Sequence, residues 1–208
     1  MRPLAAIVTT TFLLSMGCSN SARSVTTTLA DPTAAKGFVD AWELSRQGTW
    51  TERGTAERAG VVNPIVVVQR PPDRLTRIGD GVSGRLGGRL VTCVADPNGK
   101  VGCHEGGAAP DYRADTDQEL ANLRQQLGGA TPLYYVDAAK AGCFDLRLTM
   151  RDPAPPFGDS ATFCFDSATG ATKSIEVTRG SVVDRQEFTE IHSGADEDAL
   201  RLPAPIGG

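Results

Sequence analysis

Lysine and histidine are scarce in this chain of 208 residues. Lys36, Lys100, Lys140 and Lys173 are its only lysines and His104 and His192 its only histidines, and 21 basic residues are outnumbered by 25 acidic ones. The arginines are scattered singly, so there is no basic stripe to follow a phosphate backbone, and nucleic acid is not an expected partner. Two histidines leave little choice of general base. Ser45, Ser83, Ser160 and Ser193 sit in no GxSxG elbow and no HExxH motif is present, so the chain is not expected to be an enzyme. The acidic clusters Asp115-Thr116-Asp117 and Asp196-Glu197-Asp198 fall at expected helix starts, where carboxylates complement the helix dipole, and neither makes an EF-hand loop. Zinc-type CxxC and HxxxH spacings and the Cys-x-x-Cys-His haem signature are missing, so neither a metal nor a cofactor is expected. Aromatics make up 6% of the chain against 23 Gly and 13 Pro, which favours many short elements and turns over a helical bundle. No repeat of roughly 20 to 50 residues is visible.

The N-terminus is more informative. Arg2 gives a positive n-region, Leu4 to Leu14 an apolar segment too short to span a bilayer, and Leu13-Leu14-Ser15-Met16-Gly17-Cys18 a small-residue cleavage site followed by a thiol. This reads as a bacterial lipoprotein signal over residues 1–17, with an acyl group such as palmitate expected on Cys18. The expectation is a lipid anchor in the cell membrane, with the folded part on the extracytoplasmic side. Ser19 to Thr28 is polar and of low complexity, so residues 18–30 read as a tether. The folded domain is expected over 31–202, with residues 203–208 as a frayed tail.

Outside the cytoplasm, the four remaining cysteines are best read as two disulfides. Leu90 to Val94 and Val101 to His104 flank the turn Asp96-Pro97-Asn98-Gly99-Lys100, so Cys93 and Cys103 can face each other across a hairpin. Cys143 to Met150 alternates, with Phe144, Leu146, Leu148 and Met150 on one face, and Ala161, Phe163 and Phe165 share a face of the next strand. Pairing Cys143 with Cys164 sets Phe144 opposite Phe163 and Leu146 opposite Ala161, so one register serves both the bridge and the apolar face.

Asp31-Pro32 is an N-cap with a first-turn proline, and Ala34, Phe38, Ala41, Trp42 and Ser45 then share a helical face through Gln47. From Trp50 to His104 the signals are strands broken by Pro71-Pro72, Gly79-Asp80-Gly81 and Gly87-Gly88. Within them Ile65-Val66-Val67-Val68 is apolar on both faces and should be covered on both sides. Glu105 to Ala114 reads as a loop leading into a helix from Asp115 to Gln126, with Leu120, Leu123 and Leu127 at helical spacing and Gly128-Gly129 as its stop. Strands resume at Cys143. The last, Val182 to Ile191, alternates poorly and reads as a sheet edge.

The fold class is therefore α+β: a single strongly curved antiparallel sheet, a half-barrel of about ten strands, with an N-terminal helix and a mid-chain helical insertion. In its lipobox at Cys18, its helix from Thr33 to Gln47, its strand order and its hairpin Phe163-Cys164-Phe165-Asp166-Ser167-Ala168-Thr169-Gly170, the chain from Pro32 to Leu202 resembles the LolA-like lipoprotein-carrier superfamily. That group includes the LppX- and LprG-type lipoproteins and the N-terminal domain of RseB-like sigma-factor regulators. The resemblance implies a cavity for a lipid or acyl chain, lined by Phe144, Leu146, Leu148, Met150, Phe163 and Phe165 and covered by Leu120, Leu123 and Leu127. The other reading is a regulatory or sensor lipoprotein with a filled core that binds an extracytoplasmic protein. A monomer is expected in either case.

Overall fold

A computed structural model describes residues 31–207. The signal segment, Cys18 and the tether lie outside the described residues. Asp31 caps α1 (Pro32–Gln47), its carboxylate accepting the backbone N–H of Thr33 and Ala34 at 2.9 and 3.2 Å. Six strands follow, namely β1 (Trp50–Arg58), β2 (Val61–Arg70), β3 (Asp73–Ile78), β4 (Gly81–Leu86), β5 (Arg89–Ala95) and β6 (Val101–Ala108). After α2 (Tyr112–Leu127) come β7 (Tyr134–Ala138), β8 (Cys143–Leu148), β9 (Ser160–Phe165), β10 (Thr172–Arg179) and β11 (Val182–Ser193). All eleven strands form one antiparallel sheet in the order β6-β5-β4-β3-β2-β1-β11-β10-β9-β8-β7. The edges β6 and β7 do not pair with each other, so the sheet is a curved, open half-barrel over its two helices.

Four expectations change. The strand count is eleven because β7 went unread; it is a five-residue edge strand whose Tyr134 and Val136 are fully buried. Residues 105–108 extend β6 instead of looping, and α2 begins at Tyr112, capped by Asp111. The strand expected at an edge, β11, lies in the centre between β1 and β10. Its alternation is poor because its outer part is exposed and held by cross-strand charges: Arg185 bonds Glu176 at 2.7 Å, and Asp184 lies 3.3 Å from Arg58. The tail does not fray at residues 203–207: Ile206 bridges to Cys103, and the Gly207 N–H donates to the Cys103 carbonyl at 3.0 Å.

The sheet buries apolar side chains on different faces in its two halves. On β7 to β10 the apolar side faces the helices, where Tyr134, Val136, Leu146, Ala161, Phe163, Phe165 and Val177 pack with Phe38 and Val39 of α1 and with Leu120, Leu123 and Leu127 of α2. Phe38 is the hub. It is wholly buried, with its ring within 6.2 Å of the rings of Phe144, Phe157, Phe163 and Phe165. On β3 to β6 the apolar side faces away from the helices. There Leu75, Val82, Val91 and the bridged Cys93 and Cys103 are covered by Ala199, Leu200, Leu202 and Ala204 of the C-terminal segment. The switch occurs at β2. Ile65 and Val67 pack with Trp50 and Phe188, while Val66 and Val68 join the opposite cluster, as a strand apolar on both faces requires.

Both disulfides form in the registers read from the sequence, with Cys143 opposite Cys164, Phe144 opposite Phe163 and Leu146 opposite Ala161. The β1–β11 pairing shifts by one residue between Arg53 and Gly54, where Thr189 of β11 is the extra residue. A Cβ on Gly54 would stand 1.8 Å from the Glu187 carbonyl oxygen. Phe38→Ala removes the hub ring and leaves a void among four others, so urea unfolding should show a loss of about 3–5 kcal/mol.

Candidate functional site

The residues expected to line a cavity come together, with one exception. Leu120, Leu123, Leu127, Leu146, Phe163 and Phe165 are buried in one cluster, and Phe144 and Leu148 are half-buried against it. Met150 is a correction: β8 ends at Leu148, the alternation stops with it, and Met150 is 49% exposed in the following loop. Ring contacts fill the interior of this cluster. Open space lies at its border, where a groove of about 510 Å³ runs between α1 and the end of α2 along Ala35, Val39 and Leu127, with Lys36 and Arg124 at its rim.

α2 is fastened by those three leucines and by polar contacts with α1. The Arg46 guanidinium grips the Glu119 carboxylate through two bonds of 2.8 and 2.7 Å, the Tyr112 hydroxyl donates to the Arg46 carbonyl, and Arg124 lies 3.4 Å from Glu43. Burial raises the Glu119 pKa, but hydrogen bonding and charge from Arg46 outweigh it and hold the carboxyl below its usual range.

On β3 to β5 the helix-facing side is polar because the apolar residues there point the other way. It borders a cleft of about 770 Å³ whose walls include Arg46, Arg74, Arg85, Ser83, Tyr112 and Glu119. Arg85 is nearly buried; it bonds Asp115 at 2.8 Å, donates to the Pro110 carbonyl and lies 5.3 Å from the Tyr112 ring centroid. Arg74 lies 5.7 Å from the ring centroid of the buried Trp50. Gly84 brings β4 close to β3 at this point: at φ +150°, a Cβ there would stand 2.1 Å from the Arg74 carbonyl oxygen.

Among the described residues Glu52 is the one acidic side chain sunk into the core, 2% exposed on the helix-facing side of β1. Burial drives its pKa up to about 8, against a lowering contribution from the Thr172 N–H, so at neutral pH the carboxyl is mostly protonated. Its Oε2 has no hydrogen-bond partner among the described residues. Sequence reading passed over Glu52, Arg74 and Arg85. Glu52 had a legible signal, since it shares a strand face with Trp50; the arginines had none, because their meeting depends on sheet register.

Neither a family model nor a curated protein sequence matches the chain. Solved structures do. The MucA/MucB complex of Pseudomonas aeruginosa is similar at 18% identity and a TM-score of 0.48, covering 81% of this chain and 60% of that one. LprF from Mycobacterium bovis is similar at 12% identity and a TM-score of 0.39, covering 86% and 99%. A LolA superfamily protein from Nitrosomonas europaea is similar at 9% identity and a TM-score of 0.32, covering 81% and 97%. The chain thus spans about 60% of the length of the MucB complex chain it matches, and the likeness is one of fold.

The raised Glu52 pKa makes stability depend on pH. The folded state holds this proton where the unfolded chain, at the ordinary carboxyl value of 4.5, releases it, so the contribution is fully present below pH 4.5 and is lost as pH rises through about 8. Glu52→Gln should flatten that decline, and urea midpoints at pH 4.5 and pH 8 should differ less in the variant than in the wild type.

Proposed function

We propose that the protein is a membrane-anchored extracytoplasmic lipoprotein that binds an apolar ligand, a lipid or acyl chain, beneath α2 in a LolA-like half-barrel, and that it acts by binding and not by catalysis. The observation that carries this reading is the groove along Ala35, Val39 and Leu127, which opens at the border of the apolar cluster built by Leu120, Leu123, Leu146, Phe163 and Phe165. A chain entering there would lie against aliphatic walls, with the Lys36–Asp40 and Arg124–Glu43 ion pairs at the mouth. The lipobox ending at Cys18 supports the anchor.

A second reading, a regulatory lipoprotein that binds an extracytoplasmic protein partner over a filled core, is favoured by the ring packing around Phe38, which leaves the centre of the cluster occupied. Native mass spectrometry of residues 19–208, exported to an oxidising compartment and purified without detergent, separates the two. The ligand reading expects a stoichiometric acyl-chain adduct recoverable by solvent extraction, whereas a clean apo mass under gentle conditions favours the partner reading. Leu146→Trp adds a sharper comparison. It should abolish that adduct if chains reach β8, while overpacking a filled core costs about 1–3 kcal/mol with no adduct to lose.

The anchor has its own test. Cys18→Ala should move the protein from the membrane to the soluble fraction after cell fractionation, and retention on membranes would contradict the lipid anchor.

A further inference from the structure

We propose that the cleft between α2 and the helix-facing side of β3 to β5 binds an oxyanion, the phosphate or carboxylate of a polar head group, and that Arg74 holds it. Arg74 is the unmatched charge of the cleft. Arg46 grips Glu119 and Arg85 grips Asp115, but among the described residues Arg74 makes no hydrogen bond and has no carboxylate within 4.0 Å. It is half-buried beneath the helices, with Trp50 under its guanidinium, where an ionic partner is screened less than at the surface.

The register sharpens the point. Arg74 lies directly opposite Arg85 on adjacent antiparallel strands, and both line the same cleft. Like charges in that position destabilise a strand pair. Asp115 neutralises one of the two guanidinium groups and leaves the other facing open space, so an anion at Arg74 would relieve the repulsion as well as form its own charge-assisted bonds. Around it stand Thr76, Ser83, Thr92, Gln118 and Asn122, hydroxyls and amides able to hydrogen-bond the rest of a polar head group, in a volume of about 770 Å³ that suits a small molecule. This site lies on the polar half of the sheet, away from the Ala35, Val39 and Leu127 groove, so anion binding stands or falls separately from acyl-chain binding.

The test uses the full chain in a neutral detergent, titrated calorimetrically with inorganic phosphate, with dihexanoyl phosphatidic acid and with uncharged dihexanoylglycerol, while tryptophan emission reports on Trp42 and Trp50 together. Saturable binding of a phosphate-bearing probe, but not of dihexanoylglycerol at this site, is expected. It should weaken about tenfold or more in Arg74→Gln, be restored in part by Arg74→Lys, and stay unchanged in Arg58→Gln. If inorganic phosphate binds as well as the lipid, the oxyanion alone is recognised; if only phosphatidic acid binds, the anion belongs to an amphiphile's head group. In low salt, unliganded Arg74→Gln should melt no lower than the wild type, since it removes one of two opposed charges. No binding of either phosphate-bearing probe would overturn the proposal. So would unchanged affinity in Arg74→Gln, and a lowered melting temperature alongside unchanged affinity would mark Arg74 as a structural cation over Trp50.

Discussion

The structure depends on a change of side within one sheet. Eleven strands present two broad faces, and two 16-residue helices cannot cover either face completely. The chain solves this by turning its apolar residues toward the helices on β7 to β10 and away from them on β3 to β6, where the C-terminal segment covers them. β2 is the hinge of this arrangement and is apolar on both faces because it belongs to both cores. The Cys93–Cys103 bridge ties β5 to the edge strand β6 under the C-terminal cover, and Cys143–Cys164 ties the strands that carry the aromatic cluster. Each disulfide therefore reinforces a different half.

That division creates the site. Because β3 to β5 turn their apolar residues outward, the side they show to α2 is polar, and the space beneath the helix remains a cleft instead of closing as core. The arginines there follow from the same geometry. Guanidinium groups can lie over aromatic rings and still border the cleft, as that of Arg46 does 4.8 Å from the Trp42 ring centroid and that of Arg74 does over Trp50. Glu52 lies where the two halves meet, on β1 between Val67 and Ile191, and burial there keeps it mostly neutral.

Local rules made much of this legible in the sequence. The Asp31 cap, the alternation from Cys143 to Leu148 and the coincidence of bridge and apolar face needed only neighbouring residues, and both disulfide registers could be read from them. What escaped depends on distant partners. β7 is five residues long and shows only Tyr134 and Val136 as its inward pair. β11 alternates weakly because its exposed stretch is held by ion pairs with β1 and β10, so nothing along its own length says that it is central. Met150 continued the strand's alternation in sequence, but the strand ends two residues before it. The cleft was invisible because it arises from the facing of Arg74 and Arg85, which only sheet register brings about.

The fastening of α2 limits what kind of ligand could lie beneath it. Lifting the helix exposes Leu120, Leu123 and Leu127, at about 1.5–3 kcal/mol for each buried leucine, and so about 5–9 kcal/mol together. That is of the order of a whole domain's stability, so a helix held this way opens seldom unless something re-covers the leucines. The contacts with Glu43 and Glu119 add less, because they sit near water, where ion pairs are worth little. A ligand that displaces α2 must therefore carry apolar area comparable to what it uncovers, which a long acyl chain does and a small polar molecule does not. A polar anion needs no such displacement, since its cleft is already open. The aromatic half of the sheet therefore admits a chain deeper than the open groove only if α2 moves, whereas the polar half offers its cleft with the helix in place.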